Sequence, residues 1–505
     1  MNSHNKRESG ILLHLTSLPG EFGIGDLGFG AYSFVDLLEK MGQKLWQILP
    51  TNPPSDDSYS PYSTNSAFAN NTLLISLEEL KKDGLLSDKD FSNYPVCSKG
   101  RLELDKIIKP HSLLLNKAIN NFEKKNNLDQ KYQNFCNDNK YWLNNYAAFC
   151  CLSKKFNTTN WTLWDKKFRN FNDQAVYDFI KTNETQINRT KIAQFIFYDQ
   201  WQRLKDYSNR KGIKIIGDIP IYVSHHSADV WSNQGLFKLN ELGQMIKQSG
   251  CPPDFFDSNG QIWGHPIYNW AEHKKMNFKW WLDRIKHLNS MIDIIRIDHF
   301  NGFAKYWEIP AEDENGLNGR WVDAPGDAFF ELLFGEIEGC QIFAENLGEA
   351  ATEADPLLNK YDIPGMMILQ FSFGNGLKEP NIRPDLVLYT GTHDNDTAVG
   401  WFNNVSGRSN QNIKNEVLTD GECIKSILES DGREINWDMI RYSFKSTAKT
   451  VIIPMQDLIG LGSSERMNIP GTVNKNNWTW RFNPDLLLKD KKDRLLKLTL
   501  ESERL

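Results

Sequence analysis

Ile295-Arg296-Ile297-Asp298-His299-Phe300 is an apolar, β-branched run that stops abruptly in an acid, a base and an aromatic ring. Read outward, the run extends back to Met291, and a helical pattern over Trp280–Asn289 precedes it. Helix, short buried strand, then a carboxylate is the local grammar of a parallel α/β sheet, whose strands are apolar on both faces and carry function where they end. Seven further runs of the same kind can be picked out: Gly10–Leu15, Leu45–Pro50, Ile213–Ile219, Gln341–Ala344, Met366–Phe371, Leu386–Tyr389 and Val451–Met455. Helical patterns such as Ala31–Met41 lie between several of them. Eight strands alternating with helices predict an α/β fold of the (β/α)8 TIM-barrel type.

The spacing is uneven, which locates the insertions. Residues 72–209 are too many for one crossover, and apolar residues recur at helical spacing in Ser112–Lys124 and Lys140–Lys155, so an inserted, mainly helical subdomain is expected between strands two and three. The stretch 238–273 is rich in Gly, Pro and aromatic residues with little periodicity, and reads as a long loop over the barrel mouth. The whole chain, residues 1–505, is then one catalytic barrel.

Composition narrows the function. With 58 Lys+Arg against 64 Asp+Glu, the net charge of −6 gives no reason to expect a nucleic acid as partner. Seven cysteines without C-x-x-C spacing read as reduced thiols. No apolar run approaches the roughly 18 residues of a membrane span, and the polar start followed by the short Ile11-Leu12-Leu13 piece falls short of a secretory signal. A cytoplasmic protein without membrane association is expected. Gly23-Ile24-Gly25-Asp26-Leu27-Gly28 matches a dinucleotide-binding pattern, but Thr16–Phe22 separate it from the strand end, and these glycines read as turn residues.

Strand ends carry the chemistry. Besides Asp298 there are Phe343-Ala344-Glu345-Asn346, Thr390-Gly391-Thr392-His393-Asp394-Asn395-Asp396-Thr397 and Gly217-Asp218-Ile219-Pro220. A lone strand-end acid is most often a helix cap or ion pair, but in a barrel every strand end opens on the same mouth. Convergent carboxylates fit a divalent metal or acid/base and nucleophilic work on a glycoside. Arg296 argues for the second. It shares a strand face with Asp298, and a permanent cation among would-be ligands opposes a metal cage while lowering the Asp298 pKa and keeping it ionised. Glu345, near two anions, is then expected to stay protonated as a general acid requires. His299, Asn301, His225 and His226 are weaker candidates as metal ligands; His225 and His226 are adjacent and do not face one site. No metal and no cofactor is expected.

Aromatic residues accompany these acids, as apolar sugar faces require: Tyr59 and Tyr62 after the second strand, Phe255, Phe256 and Trp263 in the long loop, Trp478 and Trp480 after the eighth strand. Tyr62 and Trp263 are read as substrate contacts, while Trp478 and Trp480 serve equally well as core anchors.

Taken together, Ser9–Leu27, Trp46–Asn71, Gly212–Trp231, Cys251–Trp270, Ile294–Glu308, Ile342–Glu349, Tyr389–Trp401 and Ile453–Phe482 closely resemble the 4-α-glucanotransferases, or amylomaltases, of glycoside hydrolase family 77. The resemblance implies a barrel without the C-terminal β-domain of α-amylases and a retaining transfer of α-1,4-glucan segments among maltooligosaccharides, with glucose as an acceptor. By motif it implies that Asp298 is the nucleophile, Glu345 the acid/base and Asp394 the transition-state stabiliser. Asp218, Arg296 and His393 match the residues around the sugar at the cleavage point. Tyr62, Asp254, Phe255, Trp263 and Asn468 match segments lining the glucan groove. A retaining glucan hydrolase on the same residues and a non-catalytic glucan-binding protein remain as alternatives.

Overall fold

The computed structural model describes residues 6–55, 59–125, 130–253, 258–348, 351–373, 379–407 and 419–505. Eight parallel strands close into a barrel: β1 (Glu8–Leu12), β2 (Leu45–Gln47), β3 (Lys214–Pro220), β4 (Ile294–Asp298), β5 (Ile342–Ala344), β6 (Gly365–Ile368), β7 (Leu386–Tyr389) and β8 (Thr450–Pro454). They neighbour one another in sequence order, with β8 pairing back onto β1. Each corresponds to one of the apolar runs. Gly10 on β1 faces Leu45, and a Cβ there would stand 2.3 Å from the Leu45 carbonyl oxygen, so the close approach of β1 to β2 needs glycine.

Several strand boundaries differ from the sequence reading, as at β8, where Met455 opens the helix Met455–Ile459. Met291 closes the helix Lys279–Met291 rather than opening β4, and Leu369–Phe371 belong to the short helix Leu369–Ser372. A continuous apolar run has no periodicity that separates buried strand from buried helix. The barrel rim, where the chain must turn, decides.

The helix Phe29–Lys40 shows how the outer layer forms. Gly30, Ala31, Phe34, Val35 and Leu38 make one buried stripe, and Gly42, at φ +72°, ends the helix in the left-handed conformation glycine tolerates. Between β2 and β3 lie the helices Leu104–Lys125, Gln130–Asp138, Lys140–Phe156, Gln174–Thr182 and Glu184–Arg210. The last also packs on the barrel. Its buried Gln194 exchanges two hydrogen bonds with the Asn70 backbone (2.8 and 2.9 Å), and Gln200 does the same with Ser76 (2.7 and 3.1 Å). Buried amides thus satisfy a loop that has no strand partner. Trp161 and Trp231 complete the attachment, donating to the carbonyls of His225 and Phe168 at 2.8 and 2.9 Å.

The stretch 238–273, read from sequence as an irregular loop, contributes the strands Lys247–Cys251 and Gln261–Pro266. With Lys305–Pro310 and Arg320–Asp323 they form a four-stranded antiparallel sheet. Two of its strands pair with each other inside 238–273, with a shift of register between Gln248 and Gly250, and the other two come from beyond β4, so a local pattern could announce at most half of the sheet. Glu308, 1% exposed, pins this sheet by accepting from Lys238 at 2.5 Å and from Arg320 at 2.6 and 2.8 Å.

Candidate active site

The site grows from strand register. Asp218 on β3 is the register partner of Arg296 on β4, and Ile297 that of Ala344 on β5. Alternation then sends Arg296 and Asp298 to the same face, and Glu345 leaves the rim beside Asp298, since neighbouring strands run about 4.8 Å apart. The ladder continues past the strands: Glu345 N–H donates to the Ile297 carbonyl and Phe300 N–H to that of Glu345, both at 2.9 Å. His299 stands at φ +48°. That left-handed turn aims its N–H at Glu345 Oε2, 2.6 Å away.

Arg296 is the hub. Its Nη1 donates to Asp218 Oδ2 at 2.6 Å and to Asp298 Oδ1 at 2.9 Å. The Tyr62 hydroxyl donates to the same Asp218 oxygen at 2.6 Å, and the Tyr62 ring stacks on His393 with centroids 5.1 Å apart and planes 12° apart. His393 Nε2 lies 3.2 Å from Asp394 Oδ2. Asn468 donates to Asp394 Oδ1 at 2.6 Å, and Arg466 to the Asp394 carbonyl at 2.8 Å. Beneath this layer Tyr389 of β7 donates to Gln47 of β2 at 2.6 Å across the barrel interior.

Electrostatics depart from the sequence expectation at Asp298. The Asp298 carboxyl is pushed up to about 7, not down: burial dominates, and the charges of Asp218 and Glu345 add to it against Arg296. This holds although 28% of its side chain stays open to the groove. The sequence reading places Asp218 and Glu345 at the same mouth, but weighs only Arg296 against Asp298 and not its burial. Asp394 goes the other way. Burial would raise it, but His393, Asn468 and Arg296 outweigh that and hold it at about 2. Burial likewise disfavours a charged His393, and Asp394 overcomes it, so the imidazole is raised above its usual range.

The structure thus brings Asp218, Arg296, Asp298, Glu345, His393, Asp394, Tyr62 and Asn468 into one connected cluster. Asn468 reaches it as a hydrogen-bond partner of Asp394. Trp263 stands edge-on to His299, ring centroids 4.7 Å apart. Asp254 and Phe255 lie outside the described residues, as does Phe256. Trp478 packs 5.7 Å from Tyr62 and 5.9 Å from His393, whereas Trp480 is 2% exposed and anchored to Glu465 at 3.0 Å. Among the described residues no group of three or more His, Cys, Asp or Glu is arranged to hold a metal ion. His225 accordingly contacts the Gly243 carbonyl at 2.7 Å. The sequence reading leaves out Arg466 and Asp457; Asp457 follows the apolar β8 run just as Asp298 ends that of β4, and that signal would have found it.

A family model described as 4-alpha-glucanotransferase, glycoside hydrolase family 77, matches residues 13–487. The chain belongs to this family. Among family 77 relatives, the 4-alpha-glucanotransferase of Clostridium butyricum is 39% identical over 493 residues, covering 96% of this chain and 99% of that protein. The chloroplastic/amyloplastic 4-alpha-glucanotransferase of Solanum tuberosum is 38% identical over 489 residues, covering 95% and 83%. The amylomaltase from Streptococcus agalactiae, solved in complex with acarbose, superposes with a TM-score of 0.91 at 36% identity, covering 99% of this chain and 100% of that one.

Proposed function

We infer that this family 77 chain is a 4-α-glucanotransferase that moves α-1,4-glucan segments by a retaining double displacement. The observation that carries the mechanism is the placement of Asp298 and Glu345 on neighbouring strand ends, with Arg296 bonded to the first and Asp394 held in the same cluster.

In the first half-reaction Asp298 Oδ attacks the anomeric carbon as the bond to the glycosidic oxygen breaks, and Glu345 gives its proton to that oxygen. The leaving glucan departs with a free 4-hydroxyl, and the donor remains as an ester on Asp298. In the second, Glu345 takes the proton of an incoming 4-hydroxyl, which attacks the same carbon and frees Asp298. Two inversions retain the α configuration. Asp394, held anionic, complements the positive charge that builds on the ring in each transition state. Arg296 orients Asp298 and, by binding Asp218 as well, keeps the permanent charge balance of the pocket. Tyr62 and His393 present a stacked wall to the sugar.

Transfer rather than hydrolysis requires that an acceptor sugar outcompete water. Trp263, on the sheet beside the site, supports this by packing its apolar ring edge-on against His299. Maltooligosaccharides serve as donors and acceptors, and glucose as an acceptor. The acarbose complex of the streptococcal relative supports the glucan assignment. We place the protein in the cytoplasm: Cys97, Cys136, Cys150, Cys151, Cys340 and Cys423 are free thiols, and no helix among the described residues is long and apolar enough to cross a membrane.

Incubation with maltotriose alone tests the reading. Transfer yields a ladder of longer oligosaccharides together with glucose. Shorter sugars without elongation would replace it by hydrolysis.

A further inference from the structure

Asp457 is 1% exposed, sits just after β8 in the short helix Met455–Ile459, and has no cationic partner among the described residues. Burial pushes its carboxyl up to about 6, with Asp396 adding to the push against the N–H of Ala398 and the hydroxyl of Thr390. A buried carboxylate without a counter-charge is costly, so its contacts call for explanation. Oδ2 accepts from Thr390 Oγ1 at 2.7 Å, and Oδ1 from Ala398 N–H at 2.7 Å. Thr390, itself fully buried, follows β7; Ala398 opens the helix Ala398–Val405. Between them runs the segment 390–398, which bears His393 and Asp394. Asn436 donates to the Asp457 carbonyl at 2.8 Å and fixes the clamp from behind.

We propose that Asp457 is a positioning residue: one carboxylate grips both ends of segment 390–398 and so holds His393 and Asp394 where the reaction needs them. Elsewhere among the described residues the segment is held through single residues, by Asn468 and Arg466 on Asp394, and by Gln370, Ser463 and Asn404 on Asp396 at 2.8, 2.8 and 3.0 Å. The inference rests on the role given to Asp394 above.

The chemistry of the two donors makes it testable. A hydroxyl can reverse and accept, whereas a backbone N–H can only donate. Asp457→Asn can therefore keep both contacts, its amide oxygen on Ala398 and its NH2 on Thr390; Asp457→Ala keeps neither. For maltotriose disproportionation by folded enzyme, Asp457→Ala is expected to lose about 10- to 100-fold in kcat, the scale of a displacement near 1 Å. KM should change little. Asp457→Asn should restore kcat to within about threefold of the parent, the scale of one weakened hydrogen bond. Asp457→Ala with unchanged kcat, or Asn no better than Ala, would overturn the clamp. Should the Ala variant not fold, the isosteric Thr390→Val removes only the Oδ2 contact and is expected to cost about fivefold in kcat; an unchanged value there also overturns it. Asp394→Asn separates the two readings: inactive Asp394→Asn beside fully active Asp457→Ala sinks the clamp alone, while active Asp394→Asn sinks the site assignment beneath it.

Discussion

Arg296 and Asp298 are ion-paired at 2.9 Å, yet the Asp298 carboxyl stays raised to about 7. The same guanidinium nitrogen is already committed to Asp218 at 2.6 Å, and a shared cation cannot offset burial together with two nearby acids. The nucleophile proposed here is thus more basic than an ordinary aspartate, and the site is built around restraining it.

Substitution separates the two carboxylates by role. Asp298→Asn should lower maltotriose transfer at least about 1,000-fold with its circular dichroism unchanged, because no other group can form the ester. Glu345→Gln should be comparably slow on maltotriose but recover its first half-reaction with an α-maltosyl fluoride donor, since fluoride leaves without a proton. Recovery by Asp298→Asn instead would exchange the assignments.

Acid pH should silence the enzyme early. Asp298 must be ionised to attack, and with its carboxyl near 7 the ionised fraction falls as pH drops through that value. The acid limb of kcat/KM is expected to bend near pH 7 and then fall about tenfold per unit. A limb bending near 4, where an unperturbed aspartate titrates, would contradict the burial argument.

Trp263 is the residue to change for water exclusion. Its ring covers His299 edge-on, 4.7 Å between centroids. Trp263→Ala should raise the share of glycosyl-enzyme lost to water, seen as more reducing ends per maltotriose consumed. A smaller ring with the same transfer-to-hydrolysis ratio would move that function elsewhere.

Glu308 supplies a stability test away from the chemistry. Burial opposes its ionisation, but Lys238 and Arg320 outweigh that and hold its carboxyl below the usual range. A depressed acid contributes stability above its unfolded value, about 4.3, and loses it as pH falls below that. Glu308→Gln should therefore cost about 2 kcal/mol at pH 7, reduced by the exposure of Arg320, and much less at pH 3 by urea denaturation.

Much of this was legible in the linear order, for local reasons. All eight barrel strands announce themselves as apolar runs, and Asp218, Asp298, Glu345 and Asp394 stand at their ends because that is where a parallel strand leaves the core. The sheet holding 247–251 and 261–266 was not legible: these strands pair with each other, but their register shifts between Gln248 and Gly250, and the remaining strands of the sheet lie beyond β4.

Residue order alone therefore determined the barrel, the family and the strand-end acids, because periodicity and motif are written within a few residues. Only the folded chain decided who touches whom: that Tyr62 serves Asp218 from 156 positions away, that Asn468 grips Asp394, and that Asp298 is raised rather than lowered. Charge and burial act through space, and the distances that set them exist only once the barrel has closed.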